Sequence, residues 1–89
     1  MKDEIIDIIA EYLDVDASEL DEHKTLEDLN IDSLDLVEIM FEIEEKFEVS
    51  VIFEMQEHKN ELRNLGDMVR LTEELIVKHR ASQPVEDGA

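Results

Sequence analysis

Cysteine is absent, so neither a disulfide framework nor a thiolate metal site is available, and nothing in cysteine usage points to a secretory compartment. Turn formers are scarce too. The chain holds 2 Gly and 1 Pro, and Pro84 and Gly88 fall near its end, which leaves turn-rich all-β architectures little support. Positive charge is the third shortage, with 8 Lys and Arg against 26 Asp and Glu, a formal net charge of −18. Nucleic acid and anionic lipid surfaces are bound through clustered cations, so they would repel this chain. Its partners are expected to be basic. No apolar run approaches the length of a signal-peptide core or a membrane span, and Lys2, Asp3 and Glu4 crowd the first residues, so a cytoplasmic protein without membrane insertion is expected.

What is present points to one small helical domain. The 89 residues are 43% hydrophobic, too many for a disordered acidic tail, and a domain of this size buries roughly 60% of its unfolded surface. Self-repulsion at −18 opposes compaction, and salt or divalent cations should relieve it. Ile5, Ile6, Ile9, Ala10 and Leu13 follow helical spacing, with Asp3, Glu4 and Asp7 placed where the helix dipole favours negative charge, predicting a helix over residues 3–13. Residues 14–30 lose that periodicity. Asp14, Asp16, Ser18, Asp21 and Asp28 are turn or cap formers there, and Val15, Leu20, Leu26, Leu29 and Ile31 are scattered anchors of a long ordered loop with one helical turn near Leu26.

That loop delivers the chain to a second helix. Asp32 is a candidate N-cap with Asp35 at the third helical position, a variant of the capping box, and the periodic segment runs to Phe47. Its apolar residues fall into two sets. Leu36, Ile39, Met40, Ile43 and Phe47 form the stripe of a core-facing helix; Leu34, Val37 and Phe41 form a second stripe, with Glu38, Glu45 and Glu48 on one side and Glu44 on the other. An apolar strip with an acidic rim suits a basic partner with an apolar groove, although Val37 could simply widen the core face and Phe41 be an ordinary exposed residue. Residues 49–53 are an apolar run too short to classify, and 54–63 could hold a short irregular helix. Asn64 and Asp67 then repeat the capping pattern for a last helix with Met68, Val69, Leu71, Leu75 and Ile76 on its face, running to about His79 with Lys78, His79 and Arg80 as cations at its end. The expected organisation is a helical domain over residues 1–80 and a flexible tail over 81–89.

Three constellations bear on chemistry. Asp28, Asn30 and Asp32 match the first positions of a calcium loop, but Ser33 stands where that loop needs Gly and Ile39 where it needs the bidentate Glu, so no specific metal site is expected. His23, His58 and His79 have no placed nucleophile beside them, and so small a helical domain leaves little room for a substrate pocket, so no enzyme activity is expected. Ser33 is the third. A Ser at a helix start is ordinarily a cap or first-turn residue, yet Asp32 already supplies the cap, and a helix N-terminus tolerates an attached phosphate.

The segment Leu29-Asn30-Ile31-Asp32-Ser33-Leu34-Asp35-Leu36-Val37-Glu38 resembles the phosphopantetheine attachment motif of acyl carrier proteins, and the similarity extends over roughly residues 3–80 with a Glu-rich second helix ending Glu44-Glu45-Lys46-Phe47. The resemblance implies an all-α, antiparallel four-helix bundle of three longer helices and one short one, with a long loop between the first two. It implies 4′-phosphopantetheine on the Ser33 hydroxyl, flanked by Asp32 and Leu34 and transferred from coenzyme A by a magnesium-dependent phosphopantetheinyl transferase (holo-acyl-carrier-protein synthase). Acyl thioesters on that arm would pass among loading, condensing and acyltransferase enzymes of fatty acid, lipid or polyketide biosynthesis. Basic surfaces of those enzymes would dock on Asp35, Val37, Glu38, Phe41, Glu42, Glu45 and Glu48 of a monomeric carrier. The acyl chain could slip into the core beside Leu36, Ile39, Met40 and Ile43.

Two other functions fit the same residues: a peptidyl or aminoacyl carrier, and an unmodified acidic adaptor that binds a basic partner through the second helix. Asn30 stands where the family commonly has Gly, and Asn also accepts a left-handed backbone. Val51-Ile52-Phe53 replaces an apolar pair followed by Pro, the stretch from Phe47 to Asn64 is longer than usual, and His58, Lys59 and Arg63 add positive charge. These departures point to a specialised carrier for a dedicated lipid or secondary-metabolite pathway.

Overall fold

The computed structural model describes residues 1–82. Among them the chain forms four helices, α1 (Lys2–Leu13), α2 (Ser33–Phe47), α3 (Ile52–Glu57) and α4 (Leu65–Ser82), with 3₁₀ turns at Ala17–Glu19 and Lys59–Glu61. Three are longer and one is short, and together they make the expected four-helix bundle. The stripes that predicted α1, α2 and α4 are the buried ones: Ile5 and Ile9, then Leu36, Ile39, Met40, Ile43 and Phe47, then Met68, Val69, Leu75 and Ile76. Each such side chain stabilises the fold by about 1.5–3 kcal/mol relative to exposure. Thr72 is fully buried among them, and its hydroxyl donates to the Met68 carbonyl at 2.7 Å, so the polar atom is satisfied inside the helix.

Both predicted capping patterns form. Asp32 Oδ1 accepts from the Asp35 amide at 2.8 Å, and Asp35 Oδ2 accepts from the Asp32 amide at 3.1 Å. Asn64 Oδ1 accepts from the Asp67 amide at 2.8 Å, whereas the Asp67 carboxylate turns to the Arg63 amide and to the Arg63 and Arg70 guanidiniums. Burial works against the charge on Asp67, but Arg70 and Arg63 outweigh it and hold that carboxyl below the ordinary range.

With few glycines, the left-handed turns fall to other residues. Asp14, Asn30 and Glu48 have φ of 61°, 59° and 57°. Asp14 and Glu48 end α1 and α2, and in each case the following amide reaches back five residues, Val15 to Ala10 and Val49 to Glu44, as in a Schellman turn. Asn30 turns the chain from the loop into the start of α2.

The long loop over residues 14–32 contains the helical turn expected near Leu26: the Leu29 amide donates to Thr25 and Leu26, and the Ile31 amide to Leu26. Its earlier part is stapled to the start of α4, with the Leu65 amide on the Lys24 carbonyl and the Gly66 amide on the Glu22 carbonyl, both at 2.9 Å. A Cβ on Gly66 would meet that Glu22 oxygen at 3.3 Å, which gives this glycine its reason.

Three expectations are revised. Glu44 does not join the rim of the second stripe; it turns toward α3, where its Oε2 accepts from the amides of Val51 at 2.7 Å and Ile52 at 3.0 Å. The unclassified apolar run divides, with Val49 closing α2, Val51 buried, and Ile52 opening α3 two residues before the region expected to be helical. Helix α4 continues past His79 to Ser82, so two residues assigned to the tail are helical; the rest of that tail, 83–89, lies outside the described residues.

Candidate functional site

Ser33 is the first residue of α2, exposed, immediately after the Asp32 cap. Because Asp32 satisfies the helix amide, the Ser33 hydroxyl is not needed for capping, and it makes no hydrogen bond among the described residues. Beside it, Glu27, Asn30, Ile31 and Asp32 line an open depression of about 590 Å³. A group joined to Ser33 therefore has open space next to its root, and the free N–H groups of a helix start suit a phosphate.

The second stripe of α2 does reach the surface. Leu34 is 66% and Phe41 58% exposed, whereas Val37 is half-buried. Glu38, Glu42, Glu45 and Glu48 are exposed around them and Asp35 is half-buried. The acidic face extends beyond α2. Glu4, Asp7 and Glu11 of α1 join Glu42 and Glu45, with Lys46 as the lone cation, around an open groove of about 390 Å³. Their spacing of three and four residues marks one face of α1, a signal the sequence held but whose partner face it could not show.

Tyr12 is the residue that sequence reasoning passed over. Its hydroxyl lies 2.7 Å from Asp35 Oδ1 and 2.8 Å from Glu38 Oε1, crossing from α1 to the first two turns of α2. The hydrogen bond from Tyr12, followed by that from the Asp32 amide, lowers the Asp35 carboxyl below its ordinary range. In return Asp35, then Glu38, pushes the phenol well above its ordinary value, so it stays a donor.

The histidines remain dispersed. His23 is exposed in the long loop, His79 lies in the last turns of α4, and His58 pairs with Glu61 at 2.9 Å, which raises its pKa. Among the described residues no group of three or more His, Asp or Glu is arranged to hold a metal ion.

A family model described as a phosphopantetheine attachment site matches residues 3–71. The acyl carrier protein of Chlamydia caviae is 46% identical over 71 residues, covering 78% of this chain and 87% of that protein. This chain belongs to the acyl carrier protein family. The acyl carrier protein of Streptococcus pneumoniae is 39% identical over 72 residues, covering 81% of this chain and 90% of that protein. That of Wolinella succinogenes is 38% identical over 72 residues, covering 80% and 91%. The prosthetic group of a carrier in this family is 4′-phosphopantetheine, attached covalently. No described helix is long and apolar enough to cross a membrane.

Proposed function

We propose that this chain carries acyl intermediates as thioesters on a 4′-phosphopantetheine arm attached to the Ser33 hydroxyl, with α2 as the face on which partner enzymes dock. The observation that carries the reading is Ser33 itself: a hydroxyl exposed at the start of α2 and released from capping by Asp32. A phosphodiester there meets the favourable end of the helix dipole. When bound, the arm supplies a thiol at the end of a long tether, and the protein supplies its root and the surface that partners recognise.

The docking reading rests on charge and exposure together. Leu34 and Phe41 offer apolar contact, and Asp35, Glu38, Glu42, Glu45 and Glu48 offer negative charge to basic surfaces of a phosphopantetheinyl transferase and of loading, condensing and acyltransferase enzymes. Exposed ion pairs contribute at most about 1 kcal/mol each, so such complexes form quickly, dissociate readily and weaken with salt. A shuttle needs those properties.

Incubation with coenzyme A, magnesium and a phosphopantetheinyl transferase should add the mass of one phosphopantetheine group per chain, read by intact-mass spectrometry. The Ser33→Ala variant should stay at its starting mass. An unmodified wild type, or a variant modified as readily as the wild type, refutes the assignment; binding of a basic partner without any mass gain would instead favour the unmodified adaptor.

A further inference from the structure

The hydroxyl of Tyr12 joins α1 to α2 beside the loading site without touching Ser33. A phenol carries one proton, so its contacts with Asp35 at 2.7 Å and Glu38 at 2.8 Å share that donor as a three-centre bond. Asp35 and Glu38 stand one turn apart on α2, a register in which like charges repel, and the shared proton holds them side by side. The second oxygen of Asp35 accepts from the Asp32 amide at 3.1 Å, and its own amide donates to Asp32 Oδ1 at 2.8 Å. Ser33 sits inside this ring of bonds.

We propose that Tyr12 is a positioning residue for the loading reaction, its hydroxyl clipping Asp35 and Glu38 from α1 into the orientation in which a basic transferase surface meets them beside Ser33. This rests on the Ser33 reading above. The aromatic ring packs against the core, a contact that phenylalanine would retain. The hydroxyl, by contrast, makes its hydrogen bonds among the described residues to these two carboxylates. Held side chains lose less freedom on association, and oriented charge favours the correct encounter.

The test uses the whole chain as Tyr12→Phe, as Asp35→Asn with Glu38→Gln, and as all three together. Tyr12→Phe should raise the transferase KM for the carrier by about threefold to tenfold, the scale of one hydrogen bond, with kcat and the circular dichroism spectrum little changed. In the Asn and Gln background the same change should leave KM where it was. An unchanged KM for Tyr12→Phe, or an equal rise in both backgrounds, overturns the proposal. A second readout is independent of modification: carboxyl-carbon NMR should show Asp35 titrating at higher pH in Tyr12→Phe than in the wild type, and an unmoved titration overturns the clip. Failure of the wild type to gain mass is a separate result, visible without any variant, and removes the Ser33 reading together with the loading role built on it.

Discussion

Glu44 Oε2 lies 2.7 Å from the backbone nitrogen of Val51, so a side chain of α2 caps the first turn of α3. The same oxygen takes the Ile52 amide at 3.0 Å, and no residue local to α3 provides a side-chain cap. A six-residue helix is too short to persist on its own and depends on such contacts. Glu44→Ala is therefore expected to cost about 1–2 kcal/mol, the range for a lost cap or a bond to a carboxylate. Chemical denaturation measures the loss. Amide exchange at Val51 and Ile52 should accelerate well before exchange in α1 or α4, and Glu44→Gln, which keeps an acceptor, should fall between.

Asn30 carries the second prediction. At φ 59° its backbone is left-handed, a conformation that costs an ordinary L-residue roughly 1–2 kcal/mol and glycine nothing. Asn30→Ala should lower stability by about 1 kcal/mol, and Asn30→Gly should stay within about 0.5 kcal/mol of the wild type. Equal stability of the Ala variant would mean that the turn relaxes.

Asp67 carries the third, which concerns pH. Burial raises its pKa, but the Arg70 and Arg63 donors prevail, and the folded value lies below the ordinary 3.8. A group whose pKa is lower folded than unfolded contributes stability above the unfolded value, and that contribution disappears as pH falls through the folded one. As pH falls below about 4 the wild type should thus lose stability that Asp67→Asn does not lose. Protonation of the other acids relieves repulsion in both proteins, so the difference between their melting temperatures across that range isolates Asp67. Parallel curves would contradict the assignment.

The long helices were legible because each carried its own instructions. In α2, Asp32 and Asp35 marked the start and the spacing of Leu36, Ile39, Met40, Ile43 and Phe47 marked the inner face, all within one segment. Ser33 stood out for the same reason, since the residue before it had already taken the capping role. The short helix was legible in outline within 54–63, but its start at Ile52 was not, because its cap comes from Glu44, on another helix, and because Val49, Val51 and Ile52 play three different parts within four positions. By spacing alone Glu44 is one more acid on the rim of the second stripe. Tyr12 was hidden in a similar way: its ring continues the apolar side of α1, and the partners of its hydroxyl lie 23 and 26 residues onward. Sequence periodicity reports which face of a helix is inside, but not which polar tips meet across an interface.

The staple between the long loop and α4 has a mechanical consequence. The start of α2, where Ser33 stands, is held by Tyr12 from α1, by the turn at Asn30, and through the loop by the Leu65 and Gly66 amides, none of which belongs to α3. The hydrogen bonds that hold α3 to α2 are made at Glu44, about 16 Å along the helix axis from Ser33. Loosening of α3 would thus break bonds at one end of the bundle while the other end stays a fixed pivot. Motion of α3 and presentation of Ser33 would then be mechanically separate, divided between opposite ends of a single helix.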